Sequence, residues 1–359
     1  MQSFEEFYIE SRNRLEANIR RWLSSRPGSG NPLIRTGTER LYGMNGGGKY
    51  LRGTLVYIGY RMMRDGALEE ADALAEAFEL FQTAILIHDD IIDRADTRRG
   101  METIHTRYAR ELGGGAAAQD TGRALALCLG DLGLYAAEER LTEAYHDSPR
   151  FCRLLSLYHE TVMRTIEGEL LDVQLSHMER FGQDASDAGP SLEACIQDIY
   201  HLKTACYTVI GPLCLGLLLG GASDEVIGQL REVADELGIA FQLQDDVLGV
   251  FGAYEKTGKS VGGDIAEFKQ TMLYAYMKER GGEPYERLLR YYGRQELTAE
   301  DIGQVRTILR DAGALSYART RIAALFASAE EKLDRIESVP EERKRLLRGF
   351  MDHMRSREA

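Results

Sequence analysis

The chain has 359 residues, 44% of them hydrophobic and 28% charged, with a formal net charge of −13. That apolar fraction suffices for a sizeable interior, while the acidic balance argues against nucleic acid or an anionic lipid surface as partner. Basic residues that bind a ligand must therefore be locally clustered. The N-terminal segment MQSFEEFYIESRNRLEANIRRW is amphipathic and charged and does not read as a signal peptide. The longest strongly apolar stretch, Val209 to Leu219 with Pro212 inside it, falls short of the ~20 residues a bilayer-spanning helix needs. Five cysteines (Cys128, Cys152, Cys195, Cys206, Cys214) without a CxxC read as buried free thiols in a reducing cytoplasm, which is the expected location.

There are only seven prolines, and apolar residues recur at spacings of three and four. Leu74, Ala77, Phe78, Phe81, Ile85 and His88 follow this rule, as do Leu154, Leu157, Tyr158, Val162 and Ile166. The pattern predicts an all-α protein of about a dozen helices. SRPGSGNP (Ser25 to Pro32) ends the first, and GMNGGG (Gly43 to Gly48) precedes the second. Gly113 to Gly115, Asp147 to Pro149, Gly182 to Ser191 and Gly281 to Pro284 separate later ones. No break is long enough for a linker and no internal repeat is visible, so one domain over residues 1–359 is expected. Helices from about Leu68 to Arg94 and about Ser223 to Phe251 are apolar on more than one face, which places them at the centre of a bundle.

Each of these two helices ends in paired aspartates. The first reads His88-Asp89-Asp90-Ile91-Ile92-Asp93, with Asp89 and Asp93 four apart on one helical face. Bare carboxylates at the end of an apolar helix are unfavourable unless a cation sits between them. A hard cation such as Mg²⁺ takes carboxylate, water and phosphate oxygens. The second reads Phe241-Gln242-Leu243-Gln244-Asp245-Asp246. Two such helix ends facing one another would line a cavity with carboxylates above an apolar tunnel. One such pair alone is unremarkable as a solvated helix end; two, each after a long apolar helix, are not.

Basic residues accompany the acid. Arg98-Arg99 follow the first pair, and guanidinium groups bind phosphate oxygens in a bidentate manner. Gly46-Gly47-Gly48-Lys49-Tyr50-Leu51-Arg52 is a glycine-rich turn entering a helix, whose start favours an anion; it does not satisfy a Walker A pattern. Lys203-Thr204 lie near the start of another apolar helix, and Gly258-Lys259-Ser260-Val261-Gly262-Gly263-Asp264 follows the second pair, with Lys269 beyond it.

In this order the motifs resemble the trans-isoprenyl diphosphate synthases, the farnesyl, geranylgeranyl and polyprenyl diphosphate synthase family. GGGKYLR resembles its GKxxR segment, HDDIIDRADTRRG its first aspartate-rich motif, Gly130-Asp131 a GD element, Gly168-Glu169-Leu170-Leu171-Asp172 its GQxxD, then KTA (Lys203 to Ala205), FQLQDD and GKSVGGD. The resemblance implies the class I isoprenoid synthase fold, a helical bundle around a central apolar tunnel. It implies Mg²⁺, about three ions with bound diphosphate, and head-to-tail condensation of isopentenyl diphosphate with an allylic diphosphate (dimethylallyl, geranyl or farnesyl). By it, Asp89, Asp93 and Asp245 hold the metal, with Asp90, Asp172, Asp246 and Asp264 assisting. Arg98, Lys203 and Lys259 hold the departing diphosphate, with Lys269 beside them; Lys49, Arg52, Gln82 and Arg99 hold isopentenyl diphosphate. Thr204, Tyr207 and Gln242 steady the carbocation or act near the diphosphate, and Phe241 lines the isopentenyl pocket. It also implies a homodimer, for which the apolar segment near Ala116 to Ala137 could serve.

Two departures stand out. The second motif reads Asp245-Asp246-Val247-Leu248-Gly249, so a third carboxylate sharing a face with Asp245 is missing and weaker metal binding is expected; Glu169 replaces a glutamine. Product length in the family depends on the wall below the first motif. The positions four and five before Asp89 are Ile85 and Ala84. Ala84 would leave the tunnel open and Phe81 is the next candidate floor, which points to C20 or longer. A class I terpene cyclase is the alternative, but its NSE-type metal motif is absent and it has no use for Lys49, Arg52 and Arg99. A non-catalytic subunit of a prenyl synthase, and a purely structural helical protein, are the others.

Overall fold

Helices make up nearly all of the regular structure, and the caps that start them are written in the sequence. In the computed structural model, which describes residues 2–26, 28–98, 100–180, 190–252, 262–294 and 296–356, α1 (Phe4–Ser25) opens the chain. The Ser3 hydroxyl accepts the Glu6 N–H while the Glu6 carboxylate accepts the Ser3 N–H, satisfying two amides a helix start leaves over. Its buried side chains, Phe4, Phe7, Ser11, Leu15, Ile19 and Leu23, form one stripe. α2 (Pro32–Gly43) departs from expectation, because Asn31-Pro32 reads as a break. Asn31 Oδ1 accepts the Leu33 N–H at 2.9 Å and Pro32 sits in the first turn, where its missing N–H has no intrahelical partner to lose.

The chain continues through α3 (Leu51–Met63), α4 (Glu69–Ile92), a two-stranded antiparallel ribbon of β1 (Thr97–Arg98) and β2 (Met101–Glu102), α5 (Ile104–Glu111), α6 (Ala116–Tyr145) and α7 (Phe151–Arg180). α8 (Leu192–Ile199), a π-helical segment (Tyr200–Ile210), α9 (Gly211–Gly220) and α10 (Asp224–Phe251) follow. The last elements are α11 (Gly263–Ala266), α12 (Met272–Arg280), α13 (Gly282–Leu289), α14 (Ala299–Asp311), α15 (Ala314–Asp334) and α16 (Glu341–Arg355). The helices are therefore more numerous than the dozen expected, but α4 and α10 fall where the apolar pattern puts them.

The chain divides into two compact units, Met1–Leu157 with Pro212–Ser223, and Tyr158–Gly211 with Asp224–Ala359. In the first, α4 packs along α6 and α3, and α1 crosses α3 and α4. Leu74, Phe78, Phe81, Ala84 and Ile87 of α4 are buried there. Arg14 of α1 forks onto Asp72 with two bonds of 2.6 Å, and the Tyr57 hydroxyl donates to the same carboxylate at 2.7 Å. In the second unit, α10 packs against the π-helical segment and α15. Its core continues through Leu243, Val247, Val250, Met272 and Tyr274.

Two composition-based expectations change. The helical run Leu192–Gly220 spans 29 residues with a mean hydropathy of 1.6 over its most apolar window, so by length and composition it could cross a membrane; 83% of that window is buried within the protein, as in a core helix. The five cysteines are free, but Cys128 and Cys152 are exposed; only Cys195, Cys206 and Cys214 are buried.

In the second unit His201 Nδ1 lies 2.6 Å from Asp235 Oδ1. That hydrogen bond, with a smaller contribution from Cys206, pushes the imidazole up to about 10. A raised histidine contributes stability that is fully present below its ordinary value near ~6.5 and is lost as pH rises through the folded value. The difference in Tm between the protein and Asp235→Asn should thus be largest near pH ~6 and vanish above pH ~10. Thermal melts across this range check it; a pH-independent difference would contradict it.

Candidate active site

In the first unit α4 runs out at the first acidic motif. The Asp93 N–H donates to the Asp89 carbonyl at 2.8 Å, so the helical register is kept and the two carboxylates share a face. Both residues are half-buried, whereas Asp90 is 1% exposed and turned inward. Arg98, carried by β1, donates through Nε to Asp90 Oδ1. Asp90 Oδ2 is buried without a hydrogen-bond partner among the described residues. Burial pushes the Asp90 carboxyl up to about 6, against the opposing pull of Arg98, with Asp89 and Asp93 adding to the rise. The ribbon that places Arg98 is not legible in the sequence.

The turn Gly46–Arg52 is built on left-handed backbone at Gly47 (φ +72°) and Tyr50 (φ +50°). The Tyr50 hydroxyl donates to the Asn45 carbonyl at 2.5 Å, and the Tyr8 hydroxyl donates to the Lys49 carbonyl at 2.8 Å. Lys49 is exposed and Arg52 half-buried. One expectation is corrected: the start of α3 is not open to an external anion at Gly53, because its N–H donates at 2.8 Å to Glu79, a buried carboxylate of α4. Lys49 and Arg52 are the two cationic side chains at this turn. Gln82 is half-buried, and its Oε1 is buried without a hydrogen-bond partner among the described residues. Arg99 lies outside the described residues.

Phe81 and Ala84 are fully buried and Ile85 is half-buried. A Cβ built on Gly133 of α6 would stand 2.9 Å from the Ala84 Cβ. The small side chain at 84 therefore also sets how closely α4 and α6 approach, a constraint that spacing along the chain does not reveal.

In the second unit a chain of polar contacts ties three helical elements together. An added Cβ on Gly168 of α7 would sit 2.3 Å from the Lys203 backbone nitrogen, so only glycine permits this approach. It lets Lys203 Nζ reach Asp172 Oδ2 at 2.6 Å and Glu169 Oε2 at 2.7 Å. The glutamate that replaces the expected glutamine thus supplies a second anionic contact. The Thr204 hydroxyl donates to Gln242 Oε1 at 2.5 Å, and Gln242 Nε2 donates to Asp246 Oδ1 at 2.8 Å. The Tyr200 hydroxyl donates to Asp246 Oδ2 and accepts the Met272 N–H at 2.9 Å. Burial and Asp246 hold the Tyr200 hydroxyl well above its ordinary range, so it stays a donor. Asp246 is 4% exposed and pushed up to about 8, by burial first and by Asp264 and Asp245 next, against the hydrogen bonds it accepts. Asp245 and Tyr207 are half-buried and Phe241 is buried. Lys269 pairs with Glu267 at 3.0 Å and lies 3.9 Å from Asp264. Lys259 lies outside the described residues.

Lys203-Thr204-Ala205 are not near a helix start. They lie in the π-helical segment, inside a helical run that begins at Leu192. Wide turns of this kind are rare and recur at functional sites. Tyr200 has no counterpart among the sequence-predicted residues, because nothing in the motif order marks it.

The two acidic motifs share one design. In each, the first aspartate is half-exposed and the second is buried in hydrogen bonds, Asp90 to Arg98 and Asp246 to Tyr200 and Gln242. No group of three or more His, Cys, Asp or Glu side chains among the described residues could hold a metal ion by itself. An all-oxygen donor set that leaves coordination positions for water and phosphate fits Mg²⁺ and not a closed zinc site.

The fold belongs to a known class. The crystal structure of a geranylgeranyl pyrophosphate synthase from Corynebacterium glutamicum, complexed with isoprenyl diphosphate and magnesium, is similar with a TM-score of 0.86 and 28% identity, covering 99% of this chain and 100% of that one. These are all-α class I isoprenoid synthases. The polyprenyl synthetase family model matches residues 39–311, and the chain belongs to that family. It is 30% identical to the geranylgeranyl diphosphate synthase of Methanosarcina mazei over 317 residues, 88% of either chain. It is also 30% identical to the geranylfarnesyl diphosphate synthase of Aeropyrum pernix, over 88% of this chain and 92% of that one. The protein is a prenyltransferase that performs trans head-to-tail condensation.

Proposed function

We propose that the protein condenses isopentenyl diphosphate with an allylic diphosphate in the presence of Mg²⁺ and releases a product of C20 or longer. The observation that carries this is the shared design of the two acidic motifs, each presenting a half-exposed carboxylate beside a buried, hydrogen-bonded one. Asp89, Asp93 and Asp245 are the carboxylates for the metal, about three ions with bound diphosphate. The metal, when bound, neutralises negative charge on the leaving diphosphate. The protein's own groups orient and compensate. Asp90, fixed by Arg98, and Asp246, fixed by Tyr200 with Gln242, each anchor the end of their own helix. Lys203, steadied by Asp172 and Glu169, is the cation for the departing diphosphate, with Lys269. Lys49, Arg52 and Gln82 are the groups for isopentenyl diphosphate. Chelation with EDTA should abolish turnover and added Mg²⁺ restore it; turnover that survives chelation would contradict the metal assignment.

Product length is placed at C20 or longer because no aromatic stands at Ala84 or Ile85, leaving Phe81 as floor. Phe81→Ala should lengthen the product by at least one five-carbon unit, read by chromatography of the dephosphorylated alcohols; unchanged length would remove Phe81 from the wall. Ala84→Phe is a poor probe, since its ring would press on α6 at Gly133.

We place the protein in the cytoplasm as a homodimer. Leu125, Leu132 and Tyr135 of α6 are exposed along one stripe, and Met163, Ile166, Leu170 and Val173 of α7 along another. Stripes of this kind on α-helices suit association with a second copy.

A further inference from the structure

The missing third carboxylate of the second motif has a structural counterpart. Gly249 stands in the last turn of α10, four residues after Asp245 and on the same face. A Cβ added there would lie 2.6 Å from Asp264 Oδ2 and 3.6 Å from its Cγ. The carboxylate of Asp264 therefore occupies the space into which a side chain at 249 would project. Three further contacts, from Gly262 and Lys269, seat this segment. The Gly262 N–H donates to the Gly249 carbonyl at 3.2 Å, docking the start of α11 on the end of α10. Lys269 closes the other side, its N–H donating to the Asp264 carbonyl at 2.8 Å and its ammonium 3.9 Å from Oδ1. Glycine inside a helix costs about 1 kcal/mol relative to alanine. The clearance for Asp264 is what the glycine provides.

We propose that Gly249 is a positioning residue whose absent side chain admits the Asp264 carboxylate to the Asp245 face of α10, so that Asp264 stands in for the third carboxylate and the second metal clamp is complete without one at 249. This rests on the Mg²⁺–diphosphate reading above, and it reverses what the sequence alone suggests. A carboxylate restored at 249 does not strengthen the clamp, because its Cβ displaces the carboxylate already there.

The test is isothermal titration calorimetry of the full chain with inorganic diphosphate in saturating Mg²⁺, with circular dichroism to check folding. Gly249→Ala adds one methyl and no charge, and should weaken binding about tenfold or more, the scale of losing a supporting group at a metal site. Gly249→Asp should bind no tighter than the unmodified protein. In an Asp264→Ala background, which is itself weakened, adding Gly249→Ala should change affinity less than about twofold, because the group it displaces is gone. Gly249→Ala binding like the unmodified protein, Gly249→Asp binding more tightly, or an equal loss in both backgrounds would each overturn the proposal. If Gly249→Ala does not fold, the Asp264→Ala pair decides: a second variant that folds and binds like Asp264→Ala supports clearance, and one that does not refutes it. Failure of the unmodified protein to bind Mg²⁺–diphosphate would overturn the underlying reading, and the proposal with it.

Discussion

Asp89→Asn is expected to lower kcat/KM by about 10²–10³-fold at saturating Mg²⁺, with little change in Tm. The magnitude is that of removing one preorganised group that stabilises charge developing in the transition state. The stability expectation follows from geometry: Asp89 is half-exposed, and its side chain is one of two carboxylates on a single helical face. The neighbouring Asp90→Asn should behave differently. Asp90 is buried against Arg98, so the variant leaves a half-buried guanidinium without its anionic partner. A loss of about 1–3 kcal/mol of stability is expected there. Steady-state kinetics and urea denaturation of both variants separate the roles. Equal stability losses for the two would contradict the assignment of Asp89 to the ligand and Asp90 to the scaffold.

Gly168→Ala is the second large effect. In the middle of an ordinary helix this substitution gains about 1 kcal/mol. Here the added methyl meets the Lys203 backbone nitrogen at 2.3 Å and the Leu202 carbonyl carbon at 2.8 Å, so α7 must move off the π-helical segment. The sign should therefore reverse, to a destabilisation of about 1–3 kcal/mol. Activity should fall as well, because the same approach sets Lys203 against Asp172 and Glu169. Urea denaturation with kcat measured on the same preparation tests both; a stabilised or fully active Gly168→Ala would show that the close approach does not hold Lys203 in place.

Much of this site is legible in the amino-acid sequence. The apolar runs mark α4 and α10 because helices buried on several faces need apolar residues on several faces, whatever packs against them. The i, i+4 spacing of Asp89 and Asp93 is a property of any α-helix. What the sequence does not show depends on neighbours distant in the chain. That Asp90 and Asp246 turn inward is decided by Arg98 on a short ribbon and by Tyr200 on a π-helical segment, neither of which has a periodic signature. That Gly53 commits its amide to Glu79 requires knowing that α3 and α4 lie side by side. α2 is hidden for a different reason: Asn31-Pro32 serves equally as a break and as a helix start, and only the helix that follows distinguishes them. Gly249 is the sharpest case. Read along the chain it is a lost carboxylate; beside Asp264 it is the space another carboxylate uses.

Elongation by the purified full chain tests the assigned activity most directly. The protein is incubated with Mg²⁺, labelled isopentenyl diphosphate and, separately, dimethylallyl, geranyl and farnesyl diphosphate, and the products are dephosphorylated and sized. Label should be incorporated with at least one primer, and the principal product should be C20 or longer. No incorporation with any of the primers would contradict the assignment.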